Sequence, residues 1–171
     1  FCIARHDIYR RKELDKQPAP WTDDNVLKNF KFCNIFRELD AGTRVIAERK
    51  FATPIDTLLN IVCYRFFNRR DHFERIGEVS AAGWNANDFL QRVDAAKAQG
   101  PVFSDAYLVH GNEKHIARRL EWVINNASTL LTDLANPKFA ADSYRALRRI
   151  DGVGQFIGYQ MWLDASYHGL H

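Results

Sequence analysis

The stretch Leu147-Arg148-Arg149-Ile150-Asp151-Gly152-Val153-Gly154-Gln155-Phe156-Ile157-Gly158-Tyr159 decides the reading of this chain. It reads as a helix, a five-residue turn and a second helix. Two glycines let a backbone turn sharply and approach a ligand closely. The helix that follows aims its free N–H groups and the positive end of its dipole at the same place. That is the pattern of a helix-hairpin-helix, a device for holding a nucleic-acid phosphate. Val153 is expected to pin the turn from below. Arg148, Arg149, Gly152, Val153, Gly154 and Gln155 are therefore the candidate DNA-binding residues. Asp151 stands where such hairpins usually carry proline, and a carboxylate beside a phosphate needs a cap or a cation to justify it.

Composition sets bounds. The chain has 171 residues, 46% of them hydrophobic, and a net charge of +3. That size fits one domain, or a domain with a small lobe. We expect a single helical domain over 1–171, with the hairpin at about 138–166, and a fragment of a longer protein. The mild net charge does not demand nucleic acid, so local clusters matter more. The Arg118-Arg119 pair reads as a solvated helix face. Cys2, Cys33 and Cys63 are odd in number and far apart, which argues against a disulfide framework, a zinc site or an iron–sulfur cluster. No run is apolar enough to span a membrane and no signal peptide is visible.

The remaining signals are almost all helical, and the fold class is all-α with six to nine helices. Thr22 reads as an N-cap before Asp23 and Asp24, with the helix running through Phe30, Cys33, Phe36 and Leu39 to about Gly42. Thr53-Pro54 opens a second, strongly apolar helix. A short helix follows Asp71, and another spans about Asn87 to Gln99 with Phe89, Leu90 and Val93 inward. The stretch from Pro101 to Val109 shows no period. Helical pattern resumes from Ile116 to Leu134 and breaks at Asn136-Pro137.

Polar groups stand out within the apolar helices. Asn34, Arg37 and Asp40 are spaced to share a helix face, as are Arg65 and Asn68. A buried arginine needs a partner. Either Arg37 or Arg65 pairs internally with Asp40 or Asp56, or these residues line a pocket for phosphate or carboxylate. Asp164 lies one helical turn after Gln160, where it reads as a general base or as an ordinary aspartate at a helix end.

Four ordered blocks carry a resemblance. They are Pro20-Trp21-Thr22-x-Asp24, Phe32-Cys33-Asn34-x-Phe36-Arg37-Glu38-x-Asp40, Arg65-Phe66-Phe67-Asn68, and Gly152-Val153-Gly154-x-Phe156-x-x-Tyr159-Gln160-x-x-x-Asp164. From Arg5 to Asp164 the chain resembles the alpha-glutamyl/putrescinyl thymine pyrophosphorylases and the related helical domain of 5-hydroxymethyluracil DNA kinases. These sit in the helix-hairpin-helix DNA glycosylase superfamily, so the resemblance implies a DNA glycosylase-like helical fold.

The resemblance also implies a reaction on hypermodified thymine in DNA, notably of phages. Pyrophosphate on 5-pyrophosphoryloxymethyluracil would be replaced by an amine, from an amino acid or a polyamine. Arg37 and Arg65 would stabilise the leaving group, and Asp40 or Asp164 would take the proton. Trp21, Asn34, Asn68, Tyr107 and Gln160 would bind a base lifted from the stack, with Trp21, Tyr64 or Tyr107 stacking on it. The partners expected are DNA containing modified thymine and the amine co-substrate, with no membrane, inside a cell. No cofactor or side-chain metal site is expected, though such hairpins often hold a monovalent cation through turn carbonyls. Strand-cleaving glycosylases carry a lysine where this chain has Gln155 and Phe156, which disfavours a Schiff-base mechanism. A monofunctional glycosylase, or a non-catalytic DNA-binding domain fused to a DNA base kinase, is the alternative.

Overall fold

The computed structural model describes residues 1–30, 32, 34–104 and 111–171. Tyr107 and Cys33 lie outside the described residues. Among those described, the regular structure is helical throughout, with ten α-helical segments. The all-α expectation holds, with one segment more than the upper bound. The chain packs as two compact units, Phe1–Arg44 and Val45–His171.

In the first unit, α1 (Cys2–Tyr9) runs into a π-helical turn at Arg10–Leu14. A short α2 (Asn25–Asn29) and a 3-10 turn at Arg37–Leu39 precede α3 (Ala41–Ala47), which belongs to this unit as far as Arg44. The long helix expected from Thr22 to Gly42 is therefore not formed. Its apolar residues recur at every third position, a spacing that drifts around a 3.6-residue helix and gives no lasting stripe. Asn29 donates from its side chain to the Asn25 carbonyl at 2.8 Å, competing for helix acceptors at the point where Phe30 turns extended. The N-cap is also Asp24, not Thr22: its Oδ1 accepts from the Val26 and Leu27 N–H groups at 2.8 and 3.1 Å.

The second unit is built around α4 (Pro54–Phe67). Thr53 caps it, Pro54 supplies the first turn, and every residue from Asp56 to Phe67 is buried. Asn68 closes it in the left-handed conformation, at φ +51. The chain continues through α5 (His72–Arg75), α6 (Ala86–Lys97), α7 (Glu113–Asn125) and α8 (Ala127–Ala135). Last come α9 (Ala140–Leu147) and α10 (Gln155–Tyr167), the two arms of the hairpin. Helices α7, α8 and α10 pack on α4, and α9 packs on α8 and α10. The core they enclose includes Leu58, Ile61, Phe66, Phe67, Phe89, Ile116, Leu120, Leu130 and Met161.

Candidate nucleic-acid interface

The turn between α9 and α10 has the geometry its sequence predicts. Ile150 N–H donates to the Leu147 carbonyl and Val153 N–H to the Ile150 carbonyl, at 3.1 and 3.0 Å. Gly152 takes φ +74, which an L side chain rarely adopts. Val153 is buried beneath the turn, while Gly152, Gly154 and Gln155 are exposed. Gly154 is the N-cap of α10, with no side-chain cap and no acidic residue in the first turn. A Cβ at Gly154 would meet nothing within 4 Å, so the approach to the helix end is open. Tyr144 Oη donates to the Gln155 carbonyl at 3.1 Å and ties α9 to the start of α10. Arg148 is exposed, with its guanidinium 5.8 Å from the Tyr144 ring. Arg149 is also exposed, and pairs with Asp133 at 2.5 Å.

Beneath the turn lies a residue the sequence reading misplaced. Arg119 is not on a solvated face: it is buried, with its guanidinium carbon 4.7 Å from the centre of the Phe66 ring. Its Nε and Nη2 donate to Asp151 Oδ2 at 3.3 and 3.2 Å. The Asp151 carboxylate, 85% exposed, is thereby paired from below by a buried guanidinium. The same guanidinium fills the space beside Gly152, where an added Cβ would fall 2.6 Å from Arg119 Cζ. The signal was present in the spacing: Ile116, Arg119, Leu120 and Val123 form one helical stripe, and Arg119 is its one charged member. Arg118 is exposed, as expected.

The remaining expected site residues fall in two groups. In the second unit, Arg65 and Asp164 form a bidentate ion pair, Nε–Oδ2 at 2.5 Å and Nη2–Oδ1 at 2.6 Å. Arg65 is 3% exposed and Asp164 is fully buried. Arg65 Nη1 also reaches Asn68 Oδ1 at 3.4 Å, so the αL cap of α4 helps orient the fork. Gln160 is buried one turn before Asp164 on α10. Arg65, Asn68 and Asp164 are thus brought together. The partner of Arg65 is neither Asp40 nor Asp56. Asp56 instead accepts from Thr53 Oγ1 and from the Ala81 N–H, at 2.7 and 2.8 Å. Burial opposes its charge, yet these bonds and one from Ser80 hold its carboxyl below the usual range.

In the first unit, Trp21 and Asn34 share the wall of a cavity of about 380 Å³ with Arg5, Tyr9, Lys12 and Phe32. Trp21 Nε1 donates to the Gln17 carbonyl at 2.7 Å, which fixes the indole, and Lys12 Nζ sits 5.6 Å from its ring centre. Asn34 Nδ2 donates to the Leu39 carbonyl at 3.0 Å. Arg37 and Asp40 do not line that cavity. They do not share a helix face with Asn34 either: Arg37 opens a 3-10 turn, 3.8 Å from Asp40, and Asp40 Oδ2 caps α3 through the Thr43 N–H at 2.8 Å.

Among the described residues no group of three or more His, Cys, Asp or Glu side chains is placed to hold a metal ion. No helix there is long and apolar enough to cross a membrane. Compared with known proteins, residues 1–171 match the family model described as 5-hmdU DNA kinase, helical domain. A 5-hmdU DNA kinase of Bacillus phage SP10 is 25% identical over 187 residues, covering 95% of this chain and 29% of the phage protein. The chain thus spans less than a third of that relative's length. No solved structure matches.

Proposed function

The chain belongs to the family of 5-hmdU DNA kinase helical domains, and on that premise we propose that it is the DNA-holding domain of an enzyme that hypermodifies thymine-type bases. One observation carries this reading: the open N-terminus of α10 at Gly154, with no side-chain cap, set on a turn whose one carboxylate is ion-paired from below by Arg119. A backbone phosphate can approach that helix end closely, and the dipole and free N–H groups favour its charge. Arg148 and Arg149 flank the approach and add sequence-independent attraction. Apart from the Asp151 carboxylate, the oxygens at the turn are backbone carbonyls. That of Ile150 already accepts from Val153, so a monovalent cation of the kind such hairpins hold would use the others. Such a cation would supply positive charge beneath the phosphate.

In this reading Arg65 and Asp164 are a strut between α4 and α10. Both oxygens of Asp164 already accept from Arg65, and neither residue is open to a substrate. The pair holds the hairpin's second helix on the core, with Asn68 steadying the fork. Gln160 belongs to the same buried layer.

A second reading is favoured by the first unit's cavity. Its fixed indole, further aromatic walls and two cations suit a flat base bearing an anionic group. There the chain itself would replace pyrophosphate on 5-pyrophosphoryloxymethyluracil with an amino acid or polyamine. Trp21 and Asn34 would hold the base, and Arg5 and Lys12 would offset the charge of the leaving group. One experiment separates the two. The chain is incubated with duplex bearing the pyrophosphorylated base and a panel of amines, and nucleosides are analysed by mass spectrometry while binding is followed in parallel. Binding without products supports the DNA-holding domain, amine adducts support the transferase, and abasic sites would point to a glycosylase. No binding to any duplex would overturn both proposals.

A further inference from the structure

We propose that the face of α7 beside the hairpin is a second phosphate-binding site, distinct from the α10 N-terminus and built from guanidinium groups instead of backbone N–H groups. His115, Arg118, Arg119 and Trp122 recur three, four and seven residues apart, which sets them on one side of α7. With Arg149 and Asp151 they line a cavity of about 270 Å³.

The site is built. The Arg119 side chain is 6% exposed, and two of its nitrogens are spent on Asp151. Its Nη1 is buried and has no hydrogen-bond partner among the described residues. A buried guanidinium N–H without an acceptor costs about 1–3 kcal/mol, so an anion in the cavity that Arg119 lines would be stabilised by supplying one. Arg118 stands exposed beside it and makes no ion pair among the described residues. Trp122, 37% exposed, adds an aromatic rim against which a sugar or base can pack. Arginine forks match the oxygens of a phosphate better than any other side chain. Asp151 is the one opposing charge, and Arg119 already holds it.

The ligand class is therefore a phosphate group. It has two sources: a phosphodiester of the DNA backbone next to the one held at the hairpin, or a free pyrophosphate. The first source rests on the DNA-holding reading above, and the second does not.

The test uses the full chain. Binding of a labelled duplex is measured by fluorescence anisotropy over a series of NaCl concentrations, and binding of inorganic pyrophosphate by calorimetry. Arg118→Ala is exposed, so an unchanged melting temperature confirms an intact fold. For the backbone source, Arg118→Ala makes the slope of log K against log[salt] shallower by about 0.9. Asp151→Asn keeps an acceptor for Arg119, removes the opposing charge and tightens binding. For the free source, the slope is unchanged and Arg118→Ala weakens pyrophosphate binding about tenfold. Unchanged slope and unchanged pyrophosphate binding, or no pyrophosphate binding at all with an unchanged slope, overturns the site. Failure of the hairpin reading is seen separately: Gly154→Ala then leaves DNA affinity untouched, whatever Arg118→Ala does.

Discussion

At Gly152 the backbone stands at φ +74 with the Arg119 guanidinium packed where a side chain would begin, whereas at Gly154 the backbone is extended and the space beside it is empty. The two glycines of one turn thus answer to different constraints. Gly152→Ala meets both conformational strain and a clash with a buried fork. It should lower stability by about 1–2 kcal/mol or more, seen as a reduced urea midpoint. Gly154→Ala should leave that midpoint unchanged and weaken duplex binding, since only the approach to the helix end is altered. Equal melting and equal DNA affinity in Gly154→Ala would remove that helix end from the interface. Asp164 shows the same logic in the core. Asp164→Asn leaves the Arg65 charge buried without its counter-ion, and should cost about 3–5 kcal/mol. The double variant Arg65→Met, Asp164→Leu should recover most of that loss, because the strut is needed for packing and not for its charge.

Among the elements, α4 was legible because three local signals agree: a Thr cap, a Pro at the first turn and an unbroken apolar run. The hairpin was legible because its turn residues allow few alternatives. The segment from Asp24 to Ala41 was not, because its threefold apolar spacing imitates a helix that in fact ends at Phe30, beside the competing Asn29 side chain, before Asp40 caps a new one. Asn34, Arg37 and Asp40 were grouped by that spacing, and the grouping fell with the helix. The Arg65–Asp164 pair joins residues 99 apart, and no local pattern reports a contact of that range. Along the chain Asp164 stands far from any arginine that its spacing would pair it with, and Arg65 has nearer carboxylates in Asp40 and Asp56. Arg119 was legible in principle, from its place on an apolar stripe, yet its neighbour Arg118 drew the pair to the surface. The cap assignment is open to a direct check. Asp24→Ala should remove protection from exchange at the Val26 and Leu27 amides and destabilise α2 by about 1 kcal/mol. Thr22→Ala removes a hydroxyl that accepts from the Asp24 N–H at 3.2 Å and not from those two amides, and should change them little.

For the whole molecule the telling variable is pH. His72 is 2% exposed and packed among Tyr64, Phe67 and Phe73, with neither ring nitrogen hydrogen-bonded among the described residues. Burial, helped by the nearby Arg49 and Arg92 charges and opposed by Asp71, pushes its pKa down from 6.5 to about 3. The unfolded chain takes up the proton at 6.5 and the folded one does not until about 3. Stability is therefore fully present above pH 6.5 and falls as pH drops through that window. The slope for one proton is at most about 1.4 kcal/mol per pH unit. Asp56, Asp71 and Glu113, all held below their ordinary values, act in the same direction but only once pH nears their unfolded range. Between pH 6.5 and 5, His171, also shifted down by burial, acts in the same direction as His72. His72→Phe keeps an aromatic ring in that stack and cannot be protonated. Urea unfolding at pH 7, 6 and 5 should give a falling stability for the natural chain and a markedly flatter one for His72→Phe. An equal fall in both would mean that the acid sensitivity of the core arises elsewhere than at this buried imidazole.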